Sequence, residues 1–187
     1  MRLRDIPNII TALRILLVIP ILWFLQQGGY REALLLFIIA GISDGIDGLL
    51  AKNLGWTSHL GGMLDPLADK LLLMGTILTL GWQGELPASL VLLVVLRDII
   101  IVSGAVVYHY LVEPFKANPL LVSKLNTLAQ LVLVLAVLFN RGIAPLPESV
   151  LAALIYLTAL TTLWSGAAYV WKWGQQALRK GSGIDVQ

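Results

Sequence analysis

Apolar runs of about twenty residues, broken by short polar turns, recur along the whole chain, and they constrain its fold more than any other feature. A helix needs roughly 20 apolar residues to cross a bilayer. In hydrocarbon, every backbone N–H and C=O must find its partner within the segment, so runs of this kind form helices. Glycine, proline and charged residues divide the sequence into six such segments. Helix one is expected from about Asn8 to Gln27, started by Pro7 and stopped by the Gly28-Gly29 pair. Helix two is expected over 32–52, helix three over 63–82, helix four from Pro87 to Leu111, helix five over 120–139 and helix six over 148–173. Asn53 to Gly62 reads as a loop, and Gly174 to Gln187 as a polar tail. The expected fold class is an all-α integral membrane protein of six transmembrane helices, with a single membrane domain over 1–187.

Composition and charge agree. Of the 187 residues, 58% are hydrophobic and 13% are charged, against about 25% charged in soluble domains. The net charge of +2 does not point to nucleic acid, because the basic residues are scattered and gather at segment ends. Arg2, Arg4, Lys52, Lys116, Lys172, Arg179 and Lys180 fall on one side of the membrane, and Arg31 and Arg141 on the other. The first side is therefore expected to be cytoplasmic, with both termini inside. There is no cysteine, so neither disulfides nor thiolate chemistry is available. The basic start and apolar run at the N-terminus look like a signal peptide but lack a small-residue cleavage site, so a retained helix is expected. No Arg- and Ser-rich transit segment precedes it, which favours a bacterial inner membrane.

Four of the eleven acidic residues fall within 44–70. Asp44 and Asp47 are spaced i,i+3 and Asp65 and Asp69 i,i+4, so each pair lies on one helix face. Carboxylates near a membrane are costly, and four converging ones repel each other unless cations bind. Oxygen-only ligands select hard ions such as Mg²⁺, Mn²⁺ or Ca²⁺. Two helices, each offering a pair, could hold two ions suited to displacement at phosphorus. The bland account is that the acids cap helix ends, which Asp65 near a helix start would do favourably. Small residues surround them, among them Gly41, Gly45, Gly48, Ala51, Gly61 and Ala68. These either let helices pack closely or leave room for a flat ligand.

The string Asp44-x-x-Asp47-Gly48-x-x-Ala51-Lys52, then eight residues, then Gly61-x-x-x-Asp65-x-x-x-Asp69 resembles the signature of the CDP-alcohol phosphatidyltransferases. Every fixed position agrees except Lys52, where the family has Arg. Lysine keeps the charge and loses the planar fork that grips phosphate at two points. The resemblance implies six membrane helices and two divalent cations, Mg²⁺ or Mn²⁺. It implies that Asp44, Asp47, Asp65 and Asp69 are metal ligands, with Asp69 also the general base. It places Lys52 at the diphosphate and Gly48, Ala51 and Gly61 around the CDP moiety. The reaction would be attack of an alcohol on the β-phosphorus of CDP-diacylglycerol, with release of CMP. The opening Pro7-Asn8-x-x-Thr11-x-x-Arg14 resembles that of bacterial and mitochondrial members. It adds Asn8 and Thr11 to the CDP site and Arg14 to the acceptor site, although Arg14 could equally be a helix-end anchor. A homodimer is also implied.

Charged residues inside a membrane helix mark function by default. Arg97 is on that ground a candidate for an acceptor phosphate, against the alternative of a self-neutralising pair with Asp98. Lys124 is the next candidate, against an interfacial lysine. Arg97-Asp98, Ser123-Lys124-x-Asn126-Thr127-x-x-Gln130 and the last helix resemble cardiolipin synthases of mitochondrial type more than phosphatidylglycerophosphate synthases. Phosphatidylglycerol is therefore the favoured acceptor and glycerol 3-phosphate the alternative. A divalent-cation transporter would need polar residues along a whole path, whereas these acids gather at one membrane face. A non-catalytic scaffold would not need both acidic pairs.

Overall fold

The computed structural model describes residues 6–54, 59–111 and 121–181, with side chains at 10–45, 64, 67–104, 121–172 and 175. All secondary structure among the described residues is helical: α1 (Ile6–Gln26), α2 (Tyr30–Leu54), α3 (His59–Trp82), α4 (Ala88–Leu111), α5 (Leu121–Gly142) and α6 (Glu148–Gly181). The six helices follow the expected order, and the differences lie at their ends. Of the loop expected over 53–62, Asn53, Leu54 and residues 59–62 are helical, Gly61 within α3, and residues 55–58 lie outside the described residues. The tail expected from Gly174 is helical as far as Gly181. The residues after Gly174 (Gln175-Gln176-Ala177-Leu178-Arg179-Lys180) are strong helix formers and outweigh one glycine at about 1 kcal/mol.

Backbone chemistry explains the tight turns. After α1 the Gly29 N–H donates to Phe24 O at 2.8 Å and the Gly28 N–H to Leu25 O at 3.0 Å. Gly28 itself takes a φ of 75°. After α3 the same pair of bonds recurs, Glu85 N–H to Leu80 O and Gly84 N–H to Gly81 O, with Gly84 at φ 77°. Both are Schellman closures, which need a residue in the left-handed region. Pro20 lies inside α1 and removes one ladder bond, a loss that the surrounding packing must offset.

Leu121–Gly142 and Glu148–Lys172 are long and apolar enough to cross a membrane, and Ile10–Gln26 is a shorter apolar helix, among the described residues.

The chain divides into two compact units, Met1–Leu86 with Val134–Leu151, and Pro87–Leu133 with Ala152–Gln187. In the first, α1 packs against both α2 and α3, around buried Ile21, Leu25, Phe37, Ile77 and Leu80. One end of this unit is tied by side chains from its turns. The Arg141 Nε–H donates to Glu85 Oε2 at 2.6 Å, and the Tyr30 hydroxyl reaches Glu85 Oε1 at 3.2 Å. Gln83 Nε2 donates to Leu25 O. Gly142 lies so close to the Tyr30–Arg31 backbone that a Cβ there would sit 2.7 Å from Arg31 N. Burial and then the Glu85 carboxylate push the Tyr30 phenol above its ordinary value, opposed by Arg141.

In the second unit a polar seam joins α5 and α6. The Thr161 and Thr162 hydroxyls reach Asn126 Oδ1 at 3.1 and 2.8 Å, and the Thr158 hydroxyl reaches Ala129 O at 3.4 Å. Elsewhere the hydroxyls turn back on their own helices. Ser43 donates to Ile39 O, Thr76 to Leu72 O, Thr79 to Gly75 O, Ser103 to Ile99 O and Thr127 to Ser123 O.

Candidate active site

Three helices of the first unit meet at Arg14. Its Nη1 lies 2.7 Å from Asp44 Oδ1 and 2.9 Å from Asp69 Oδ1. The Arg14 side chain is 0% exposed, while those of Asp44 and Asp69 are 43% and 51% exposed. The guanidinium is thus the floor of the site, and the carboxylates lie between it and the opening. Local sequence explains the placement. Thr11 and Arg14 share one face of α1, and both are buried. Asp44 comes from the second half of α2 and Asp69 from the first half of α3, so the antiparallel pair brings them to the same level. A buried guanidinium would cost several kcal/mol without such partners.

Room exists beside the acids. Among the described residues, a Cβ added at Gly41 or at Gly45 would meet nothing within 4 Å. Gly75 does serve close packing, since its Cβ would lie 3.3 Å from Leu22 Cδ1. Next to Arg14 a groove of about 300 Å³ is lined by Ile10, Leu13, Leu17, Ile39 and Ser43. Its walls are apolar except for Ser43 and Arg14.

The other residues marked in the sequence divide as follows. Asn8, Asp47, Gly48, Ala51, Lys52, Gly61 and Asp65 lie in α1, α2 or α3, but their side chains fall outside the described set. No group of three or more metal-binding side chains is found among the described residues. The two described carboxylates, one from each motif half, are oxygen donors of the kind that hard divalent cations take.

Arg97 and Lys124 belong to the second unit. Lys124 is exposed. Arg97 Nη1 pairs with Asp98 Oδ1 at 2.8 Å, and Nη2 donates to Ser123 Oγ at 2.6 Å and Ser165 Oγ at 2.5 Å. Its Nε–H also reaches Ser165, at 3.1 Å. The guanidinium therefore links α4 to α5 and α6 as well as to its own neighbour. Adjacent helical residues point in different directions, but the long arginine stem curls back to reach Asp98. Ser165 carried no signal in the sequence. Nothing in a lone serine of an apolar helix announces an arginine 68 positions away.

Comparison with known proteins shows the family. The family model for CDP-alcohol phosphatidyltransferase matches residues 4–164. The chain belongs to the CDP-alcohol phosphatidyltransferase family. It is 32% identical, over 93% of its length and 58% of the relative, to the chloroplastic CDP-diacylglycerol–glycerol-3-phosphate 3-phosphatidyltransferase 1 of Oryza sativa subsp. japonica. It is 33% identical, over 88% of its length and 56% of the relative, to a probable cardiolipin synthase (CMP-forming) of Drosophila melanogaster. A CDP-diacylglycerol–glycerol-3-phosphate 3-phosphatidyltransferase of Blochmanniella floridana is 29% identical over 89% of this chain and 90% of its own length. The chain spans somewhat more than half the length of the first two.

Proposed function

We propose that this protein is an integral membrane enzyme that transfers the phosphatidyl group of CDP-diacylglycerol to an alcohol and releases CMP. The observation that carries this reading is the convergence of Asp44 and Asp69, one from each half of the motif, on one buried cation. Asp44, Asp47, Asp65 and Asp69 would hold two divalent ions, Mg²⁺ or Mn²⁺. When bound, such ions polarise the phosphate oxygens and stabilise charge on the departing CMP. Asp69, half exposed at the opening, takes the proton of the acceptor hydroxyl. The hydroxyl oxygen then bonds to the β-phosphorus, and the bond from that phosphorus to the bridging oxygen breaks. CMP leaves with the bridging oxygen. Lys52 lies along the diphosphate, with Asn8, Thr11, Gly48, Ala51 and Gly61 around the nucleotide. The open space at Gly41 and Gly45 supports room for a flat ligand, and the apolar groove beside Arg14 suits a substrate with acyl chains.

The membrane reading extends to all six helices as one domain. Each carries large apolar side chains that face outward, such as Ile19, Ile42, Leu78, Leu92, Leu121 and Leu160. A water-soluble monomer rarely exposes so much apolar surface. The basic-residue pattern supports a cytoplasmic position for the acidic end, and the protein acts as a homodimer.

Phosphatidylglycerol is the favoured acceptor, from the strings around Arg97 and Ser123, which makes the product cardiolipin. Arg14, Arg97 and Lys124 are the candidates for the acceptor phosphate. Of these, Lys124 is the exposed one, and it is the one we retain as a direct contact. Glycerol 3-phosphate is the second reading, favoured by the names of two of the relatives above. The test supplies purified protein with CDP-diacylglycerol, Mn²⁺ and either acceptor, and identifies the lipid product by mass spectrometry. Cardiolipin is expected, whereas phosphatidylglycerophosphate alone would reassign the acceptor. Asp69→Asn is expected to lower turnover by about 10²–10⁴-fold, and chelation of the metal to abolish it. Full activity with Asn at 69 would remove Asp69 as the base.

A further inference from the structure

We infer that Arg14 is a positioning residue, a built-in counter-cation that holds the Asp44 and Asp69 carboxylates together whenever divalent metal is absent. The inference deepens the proposed metal-dependent transfer and rests on it. Arg14 is fully buried, and one of its nitrogens touches a carboxylate oxygen from each of two other helices. An acceptor ligand would need an exposed guanidinium, but the Arg14 side chain is buried and its carboxylate partners are the exposed groups. Guanidinium stays charged at any working pH. Without it, two carboxylates on neighbouring helices would face each other across the site and push α2 and α3 apart. A divalent ion placed among the aspartates would do the same neutralising job. Metal and Arg14 are thus partly redundant for holding the site together, and this redundancy is what the experiment reads.

The full-length protein, purified in detergent, is melted in EDTA and again in Mn²⁺, as wild type and as Arg14→Gln and Arg14→Lys. In EDTA the Gln variant is expected to lose on the order of 10 °C, as for a buried ion pair deprived of one partner. Mn²⁺ is expected to restore at least half of that loss, so the Mn²⁺-induced gain is larger in Arg14→Gln than in wild type. Arg14→Lys, which keeps the charge but not the fork, should fall between. If the Gln variant cannot be recovered folded, the Lys variant carries the same comparison. An equal loss in EDTA and Mn²⁺ would overturn the inference, because Arg14 would then be packing alone. An unchanged EDTA melting temperature with a raised acceptor KM would overturn it too, in favour of acceptor contact. Absence of any Mn²⁺ effect on wild-type melting or turnover would instead strike the metal-dependent reading itself.

Discussion

Gly142 offers the sharpest test of the packing. A Cβ at this position would lie 2.7 Å from Arg31 N, 2.8 Å from Tyr30 C and 2.9 Å from Arg31 Cα. All three are backbone atoms, so no side chain can swing aside. For Gly142→Ala the end of α5 and the start of α2 must separate by roughly half an ångström or more, the kind of overpacking that costs about 1–3 kcal/mol. Alanine recovers up to about 1 kcal/mol of helix propensity inside a helix, and less here, because Gly142 is the last residue of α5. A net loss of about 1–2 kcal/mol corresponds to a fall in melting temperature of roughly 2–8 °C for a chain of this size. Gly41→Ala is the matched control, since its Cβ would meet nothing within 4 Å. It should melt at the wild-type temperature or slightly above. Thermal unfolding in one detergent, at one protein concentration, measures both. The reasoning fails if Gly142→Ala melts at or above wild type, or if the two variants fall together.

Three further outcomes are expected. Arg97→Met removes the cation beside Asp98, and with side chains only 10% and 16% exposed the loss should reach about 3 kcal/mol; the double variant with Asp98→Asn should be more stable than Arg97→Met, and an equal or greater loss would refute a charge-pairing role. The Tyr30 phenol is raised in the folded state, so folding holds its proton more tightly than unfolding does. Its contribution is complete below pH about 10 and fades as pH climbs through the raised value; Tyr30→Phe should flatten the alkaline limb of a stability–pH curve, and an unchanged limb would count against it. Lys52→Arg restores the two-point phosphate fork and should lower the KM for CDP-diacylglycerol while kcat stays within about twofold; a raised KM would remove Lys52 from the diphosphate.

Helix order was legible because its punctuation is local. Gly28 and Gly84 close helices through backbone geometry, and Pro87 and Pro147 precede α4 and α6 directly. Asp44 and Asp69, which meet at Arg14, were legible as members of two acidic pairs at helical spacing, whose other members, Asp47 and Asp65, have side chains outside the described set. The end of α6 was misjudged because a single glycine was weighted as a stop, whereas helix formers on both sides carry the chain through it. The partners of Arg14 were hidden for a different reason. They lie 30 and 55 residues away, and periodicity gives the direction of a side chain on its own helix, not which neighbour it meets. Ser123 and Ser165 around Arg97 were hidden in the same way. Gly142 could not be singled out either, since a glycine at a helix end reads as a cap whether or not a backbone presses against it.

The hydroxyls that bond back to their own helices have a consequence for biogenesis. Ser43, Thr76, Thr79, Ser103 and Thr127 each donate to a carbonyl four residues earlier. For helices inserted as proposed, these side chains bring their partner with them, so they make no demand on a neighbour as the segment enters lipid. Asn126 and Arg97 are different. Asn126 reaches across to Thr161 and Thr162, and Arg97 to Ser123 and Ser165. Asn126 gains these partners only when α6 arrives beside it, and Arg97, although paired with Asp98 on its own helix, gains its serine partners only when α5 and α6 do. The self-bonded hydroxyls leave insertion permissive, and the cross-helix amide and guanidinium decide which helices accept one another, and in what register.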